Sequence, residues 1–359
     1  MADSRGTRSS DPQLRTWPVL LNQLIDRVDL TADDTGWAMD QIMSGVATPA
    51  QIAAFAVALR AKGETPAEID GIAAMMLRHA GTFTVDVRAA DIVGTGGDHS
   101  GSVNISTMAS IVTAAAGVPV VKHGNRAASS KCGTADVLEA LGVAIDLPPA
   151  GVQRTVSELG IGFCFAPVFH PALRHVASPR RDMGIPTVFN LLGPLTNPAQ
   201  PSVGLIGCAR AQAAPLIAGV FARRGGTALV VRGDDGLDEI TTTTTTSVWV
   251  VDGGTVRTDR IDPAALDVRP ALPEDLRGGD ASINAEVVRE LVAGKTGPVR
   301  DAVLLNAAGA VAAHDGLSGD LHADLATGLR RAAEAIDSGA AADLLRHWAA
   351  LSTRLRPES

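Results

Sequence analysis

The chain has 359 residues, 46% hydrophobic and 19% charged, enough for two domains or for one large α/β unit with a helical appendage. Aromatic residues make up only 3% and Tyr is absent, so the core must rest on Ala, Val, Leu and Ile; that suits buried parallel strands and argues against a stacking platform for single-stranded nucleic acid. The formal net charge of −8 disfavours polyanionic partners, while the distant cysteines Cys132, Cys164 and Cys208, with no CxxC, point to reduced thiols in a cytoplasmic protein and away from a zinc site or disulfide framework. Residues 1–13 are polar and lack the apolar region of a secretory signal, so a disordered tail is expected there. The most apolar stretch, Ile111 to Val121, is too short and too interrupted by Gly117 and Pro119 to span a bilayer.

Residues 17–80 read as short helices with short connections, a compact helical domain. Trp17, Leu20, Leu21, Leu24 and Ile25 follow helical spacing. Thr31 or Asp33 caps a second helix carrying Trp37, Met39, Ile42 and Met43. Thr48-Pro49 starts a third, with Ile52, Phe55, Ala56 and Leu59 on its face, and Thr65-Pro66 starts a fourth that runs to His79-Ala80-Gly81. Packing accounts for all of these residues, and none is assigned chemistry.

The stretch from Asp91 to Gly142 organises the rest. A short apolar run, Ile92-Val93, breaks into Gly94-Thr95-Gly96-Gly97-Asp98, and a helix pattern follows from Met108 to Ala116. Val120-Val121 leads to a second turn, Lys122-His123-Gly124-Asn125-Arg126, and then to a helix from Ala135 to Leu141. Glycine lets backbone N–H groups converge, and a helix start adds orphan donors and partial positive charge; together they make an anion cradle. One such turn is common in α/β proteins and binds nothing. Two in succession, rich in hydroxyls and carrying Lys122 and Arg126, point to a phosphate-rich ligand. No Gly-Lys-Ser/Thr tripeptide opens either helix, and His99 stands where a dinucleotide fingerprint needs glycine, so neither a P-loop ATPase nor a Rossmann dehydrogenase is supported.

Beyond residue 143 the α/β pattern continues. Val143-Ala144-Ile145 reads as a strand, Pro149 to Leu159 as a helix, Ile161 to Ala166 as a strand, and His170 to Met183 as partly helical with a bend or start at Pro179. Asn190 to Pro198 reads as a rigid crossing segment. Val203 to Ile206 and Ala228 to Val231 are strands flanking a helix from Ala211 to Ala222. Thr241 to Thr246 reads as strand continuing into Val248-Trp249-Val250-Val251, and Asp252-Gly253-Gly254 as a hairpin turn. From Asn284 onward the chain is mostly helical.

Asp234-Asp235-Gly236-Leu237-Asp238-Glu239 follows an apolar run, at the strand end where open α/β sheets bind ligands. By charge alone it is a solvated acidic loop; a magnesium site, held by one or two carboxylates plus substrate phosphates, is the alternative. His123 lies in the second glycine turn and His170 ahead of the crossing segment, whereas His175, His314 and His347 read as surface or core residues. No Ser-His-Asp arrangement or acid/base pair stands out.

Taken together, Gly94 to Asp98, Asn104-Ile105-Ser106-Thr107, Lys122 to Ser130, Arg180-Arg181-Asp182-Met183-Gly184, Asn190 to Pro198 and Gly233 to Glu239 resemble the anthranilate phosphoribosyltransferase family of tryptophan biosynthesis. The resemblance covers nearly the whole chain after the first dozen residues, and the order and spacing of the motifs make it specific. It implies an α/β fold with a small N-terminal helical domain and a larger α/β domain around a mostly parallel sheet. The helical domain would comprise 14–86, joined by part of about 168–200, and the α/β domain 87–167 and 201–359. It implies transfer of 5-phosphoribosyl from phosphoribosyl pyrophosphate to the anthranilate amine, with Mg²⁺ as two ions, and a homodimer formed through the helical domain. For phosphoribosyl pyrophosphate the family pattern falls on Gly94, Gly97, Asp98, Ser102, Asn104, Ile105, Ser106, Thr107, Lys122, His123, Gly124, Asn125, Arg126, Ala127, Ala128, Ser129, Ser130 and Thr134. For anthranilate it falls on Gly94, Asn125 and Arg180, and for the metal on Ser106, Asp238 and Glu239. The aryl amine is neutral near pH 7 and needs no strong base, so positioning and charge stabilisation are expected to carry the catalysis. Two other readings remain open: a pyrimidine nucleoside phosphorylase, told apart by its use of free phosphate, and a non-enzymatic nucleic-acid-binding relative, which would need a basic face.

Overall fold

The computed structural model describes residues 15–127 and 131–356; the expected tail and the site candidates Ala128, Ser129 and Ser130 lie outside the described residues. The chain opens with α1 (Trp17–Ile25), α2 (Ala32–Met43), α3 (Pro49–Lys62) and α4 (Pro66–Arg78). Threonine sets three of the starts: Thr31, Thr48 and Thr65 each accept from the backbone N–H three residues on, and Asp34, Gln51 and Glu68 return the bond. Glu68 is fully buried yet fully used, since it also accepts from the Leu30 N–H at 2.8 Å and from Lys62 Nζ at 3.0 Å. The close crossing of α2 and α4 is set by Gly71, where a Cβ would stand 2.1 Å from the Ala32 carbonyl oxygen. The predicted face of α3, Ile52, Phe55, Ala56 and Leu59, is buried throughout.

The larger unit carries one sheet among the described residues: β1 (Ala90–Gly94), β2 (Val120–Gly124), β3 (Ile161–Phe165), β4 (Val203–Gly207), β5 (Thr227–Gly233), β6 (Thr246–Asp252) and β7 (Thr255–Ile261), in the order β3-β2-β1-β4-β5-β6-β7. The first five are mutually parallel, and β6 and β7 extend the edge as an antiparallel hairpin turned by Gly253 and Gly254. α5 (Ile105–Ala115), α6 (Thr134–Ala140) and α7 (Pro149–Leu159) follow the first strands, and α8 (Ala166–Phe169) and α9 (Arg174–Met183) follow β3. α10 (Ala214–Arg223) joins β4 to β5, and α11 (Ala281–Val292), α12 (Pro298–Asp315), α13 (Leu321–Asp337) and α14 (Ala340–Leu355) complete the chain. One sheet face packs on α5 and α12 through Ile92, Leu205, Leu229 and Val311; on the other, Ile206 and Val230 share a core with α10 and the N-terminal helices. Val176 of α9, Val188 and Phe189 of the turn that follows it, and Leu192 of the crossing segment sit in that second core.

Several sequence readings need correction. Val143 to Ile145 is not a strand: the Ala144 N–H donates to Ser352 Oγ of α14 at 3.0 Å, and a side-chain acceptor takes the place of a sheet neighbour. The threonine run is not continuous strand either, since β6 begins only at Thr246. The hydroxyls of Thr241, Thr243 and Thr245 turn instead to the acidic loop: Thr241 and Thr243 donate to Asp235, and Thr245 to Asp234. Pro179 does not interrupt its helix, because α9 runs through it; the cost is one backbone N–H bond within a single short helix. α5 starts at Ile105, three residues before the predicted Met108, so the Asn104-Ile105-Ser106-Thr107 motif forms its first turn.

Candidate active site

The ends of β1, β2 and β5 meet at one edge of the sheet. β1 and β2 are in register only at Ala90 and Val120 and then part. Their released backbone groups are taken up by side chains: Asp91 accepts from the His123 N–H at 3.2 Å, Asn197 Nδ2 donates to the Val121 carbonyl at 2.7 Å, and Lys122 Nζ donates to the Ile92 carbonyl. Asn197 Nδ2 also reaches Asp91 at 2.9 Å, so the crossing segment is fastened into the parting strands. Burial pushes the Asp91 carboxyl up to about 6, against the pull of the Lys122 charge.

The first glycine turn leaves β1 at Gly94. Gly96 and Gly97 have left-handed φ of 69° and 81°, and among the described residues no atom lies near a hypothetical Cβ on either. The turn rests on Asp238, beyond β5, whose Oδ2 accepts from the Gly96 N–H at 2.7 Å; a Cβ on Gly94 would stand 2.3 Å from that same oxygen. Asp98 accepts from the Ser100 N–H at 3.3 Å, and Ser102 pairs with Arg277 in an isolated bridge. Asn104 joins the two turns, since its Nδ2 donates to the Cys132 carbonyl at 3.1 Å and its Oδ1 accepts from Asn284 at 2.8 Å.

The second turn leaves β2. Lys122 is 1% exposed, and its Nζ also donates to Ser106 Oγ at 3.1 Å; burial lowers its pKa against the charges of Asp91, Glu239 and Asp238. Gly124 lies against Phe163 and Thr134, and Thr107 and Thr134 share a hydroxyl hydrogen bond of 3.3 Å. Asn125 and Arg126 are exposed, and Asn125 Oδ1 accepts from the Arg126 N–H at 2.7 Å. A Cβ on Gly133 would fall 2.3 Å from the Ala127 nitrogen, so the two ends of this turn touch.

His123 and His170 are buried with ring centroids 5.2 Å apart. His123 Nδ1 lies 2.9 Å from the Gly193 carbonyl and His170 Nε2 lies 2.8 Å from the Thr196 carbonyl, so each neutral ring donates there and turns its other nitrogen, unpartnered, into the interior. Burial brings the two pKa values down to about 3 and about 4.

Asp238 and Glu239 form an acidic corner. Burial, then the neighbouring Asp98 carboxylate, raises Asp238 to about 7; burial, then Asp238, raises Glu239 well above the usual range. The Ser106 backbone N–H supports Glu239. Arg180 lies on α9 with its guanidinium unpaired among the described residues, while Arg181 stands 3.9 Å from Asp182. Enough protein surrounds Arg180 for burial to lower its pKa, although its surface remains exposed.

The arrangement finds its counterpart in known proteins. Residues 86–342 match the a/b domain of a glycosyl transferase family and residues 18–80 its helical bundle domain. Anthranilate phosphoribosyltransferase of Saccharopolyspora erythraea is 68% identical over 344 residues, 96% of this chain and 98% of the relative. The chain belongs to the anthranilate phosphoribosyltransferase family. The family's enzyme from Rhodococcus jostii is 60% identical over 98% of both chains. In three dimensions the Thermus thermophilus enzyme superposes with a TM-score of 0.87 at 40% identity, over 93% of this chain and 99% of its own. The Saccharomyces cerevisiae enzyme, in complex with PRPP and Mg, gives 0.85 at 27% identity over 94% and 98%. The match favours the phosphoribosyltransferase reading over the phosphorylase and nucleic-acid-binding alternatives.

Proximity joins most of the residues predicted for the site: the Gly94, Gly97 and Asp98 turn, Ser102, Asn104 to Thr107, Lys122 to Ala127, Thr134, Asp238 and Glu239. Arg180 shows no hydrogen bond to any of them. Sequence reasoning passed over Asp91, Asn197 and Asp136, which hold the strands and the second turn in place. A carboxylate inside the apolar run of β1 was the available signal for Asp91.

Proposed function

We propose that this chain transfers the 5-phosphoribosyl group from phosphoribosyl pyrophosphate to the amine of anthranilate, releasing pyrophosphate. The observation that carries the reading is the meeting of two glycine turns with the Asp238–Glu239 corner at the end of a parallel sheet. Phosphoribosyl pyrophosphate occupies Gly94, Gly97, Asp98, Ser102, Asn104 to Thr107, Lys122 to Ala127 and Thr134, where backbone N–H groups hold its oxygens and the buried Lys122 adds positive charge from behind the site. Anthranilate lies between Gly94, Asn125 and Arg180. The guanidinium grips the carboxylate in a planar fork and aims the ortho amine. The amine attacks C1 of the ribose as the bond to pyrophosphate breaks, and the ammonium formed then gives up its proton. Residues here orient reactants and exclude water; positioning alone can supply up to roughly 7–11 kcal/mol in ideal geometry.

The acidic corner fits Mg²⁺. Burial and the Asp98 charge raise the pKa of Asp238, and burial, Asp238 and Asp98 raise that of Glu239 against the pull of the buried Lys122, a repulsion that a divalent cation relieves. Among the described residues no three acidic, His or Cys side chains form a complete metal cage, in keeping with an ion held by one or two carboxylates and completed by phosphate oxygens. Asp238 and Glu239 would hold one ion, and Ser106, with one lone pair engaged by Lys122, would serve a second. Bound Mg²⁺ neutralises charge on the pyrophosphate leaving group.

The division into a helical domain, 14–86 with part of about 168–200, and an α/β domain of 87–167 and 201–359 is supported by α9 and the turn at Val188–Asn190 packing against α3. Exposed Val19, Ile25, Val46 and Val57 on the helical unit support a homodimer through that face. No described helix is long and apolar enough to cross a membrane; the chain works in the cytoplasm. Loss of anthranilate fluorescence on adding phosphoribosyl pyrophosphate and Mg²⁺ tests the reading. No loss with those substrates, together with phosphorolysis of a pyrimidine nucleoside, overturns it.

A further inference from the structure

Arg126 is an exposed cation of the second turn, and two carboxylates already engage it. Its Nη1 donates to Asp136 Oδ1 at 2.8 Å and to Glu139 Oε2 at 2.9 Å, and its guanidinium carbon lies 5.7 Å above the centre of the Phe165 ring. The two carboxylates, both on α6, differ in their other duties. Asp136 Oδ2 accepts from the Ala127 N–H at 3.0 Å and the Gly133 N–H at 2.9 Å, so it closes the two ends of the turn on each other whether or not Arg126 is present. The Glu139 side chain has no other hydrogen-bond partner among the described residues, and it is 52% exposed.

We propose that Glu139 is a positioning residue acting through Arg126: it parks the guanidinium on α6 and competes with the incoming polyphosphate for it, while Asp136 keeps the turn closed. The inference rests on the reading that Arg126 belongs to the phosphoribosyl pyrophosphate site. An arginine with two carboxylates at hydrogen-bond distance is neutralised locally, and a phosphate must displace at least one of them to gain a charge-assisted bond. Asp136 is held by two backbone N–H groups and cannot withdraw without opening the turn. Glu139 is solvated, flexible and singly bonded, so it is the partner that yields. Exposed ion pairs are weak, which makes the competition small and readily reversed by a multiply charged ligand.

The signature is a gain of affinity on removing a residue that touches no substrate. Titration calorimetry with Mg²⁺ and phosphoribosyl pyrophosphate on the full chain, on Glu139→Gln, on Arg126→Gln and on the double variant decides it. Glu139→Gln is expected to bind about two- to fivefold more tightly than wild type. Arg126→Gln is expected to bind more weakly, and Glu139→Gln to have no further effect in that background. If Arg126→Gln binds as wild type does, the assignment of Arg126 to the substrate site fails, and the inference with it. If Arg126→Gln weakens binding but Glu139→Gln leaves it unchanged or weaker, the site assignment stands and the competition is overturned. Equal tightening by Glu139→Gln in both backgrounds overturns it too, because the carboxylate then acts on the polyanion through space and not through Arg126.

Discussion

The two glycine turns face the same site but are held by opposite means. The turn after β1 leans on a distant residue: Asp238, 142 positions further along the chain, accepts from Gly96. Its glycines stand in open space with left-handed φ. The turn after β2 is held from within its own helix, by Asp136, and its glycines are pressed against Phe163, Thr134 and the Ala127 backbone. The first turn therefore depends on an acid that, in the proposed site, also meets a cation, which would tie its shape to the state of the site. The second is a self-contained cradle whose shape comes from local geometry.

The strongest test removes the acid corner. Asp238→Asn with Glu239→Gln is expected to abolish turnover while the circular dichroism spectrum and oligomeric state stay as in wild type. Asn at 238 still offers an oxygen to the Gly96 N–H, so the loss reports charge and not collapse of the turn. Unchanged activity after EDTA stripping and Mg²⁺ repletion would take both residues out of the metal site.

Arg180 lies outside both turns and so serves as the control for each. Arg180→Ala is expected to raise the anthranilate KM by an amount on the order of 1.5–3 kcal/mol for a lost charge-assisted hydrogen bond, with little change for phosphoribosyl pyrophosphate. Arg181→Ala should be milder, because Arg181 is 77% exposed and adjacent helical residues point in different directions. Steady-state kinetics on the two variants that show equal small effects, or a loss confined to phosphoribosyl pyrophosphate, would remove the clamp.

Smaller effects separate the turns from each other. Close approach of a phosphate to the first turn would exclude a side chain at Gly96 and Gly97. Among the described residues no protein atom opposes a side chain at either, and the protein-only cost of Gly97→Ala is left-handed strain, about 1–2 kcal/mol. Gly133→Ala differs in kind: its Cβ meets backbone at 2.3 Å, so the turn must open even without ligand. Amide hydrogen exchange should show raised rates at Ala127 in Gly133→Ala and none in Gly97→Ala. Equal protection in both variants would mean the second turn is no more tightly closed than the first.

Much of this was legible in the sequence because it is local. Thr48-Pro49 and Thr65-Pro66 mark helix starts through bonds spanning three residues, and the glycine clusters mark their turns directly. The six threonines misled because β propensity is a weak prior beside an unseen hydrogen-bond demand: Asp234 and Asp235 needed donors, and Thr241, Thr243 and Thr245 supply them. Asp91 and Asn197 escaped notice because they are 106 residues apart and their role exists only once β1 and β2 part. Asp136 was closer to hand. It stands three residues after Gly133, as the returning acid of a capping box does, but Gly has no side chain to complete the pattern and so conceals it.

The finest test uses the opposite electrostatics of the two supporting carboxylates. Burial and then Asp98 raise Asp238 to about 7, so its folded-state pKa exceeds the unfolded value. The stability linked to its protonated form is present at pH below about 4 and is lost as pH rises through about 7. Asp136 runs the other way: burial opposes its charge, but the Ala127 N–H, Arg126 and the Gly133 N–H outweigh that and lower its pKa. Its contribution is present above the unfolded value and is lost as pH falls through the lowered one. Urea denaturation in EDTA from pH 3 to pH 8 should therefore show Asp238→Asn gaining on wild type between about pH 4 and about pH 7, and Asp136→Asn falling behind wild type only at the acid end, below about pH 4, with a constant deficit above it. Added Mg²⁺ with pyrophosphate should erase the first trend, because the cation then stabilises the ionised Asp238, and should leave the second in place. Trends of the same sign in the two variants would mean that both turns rest on carboxylates in equivalent environments, and the contrast between them would be lost.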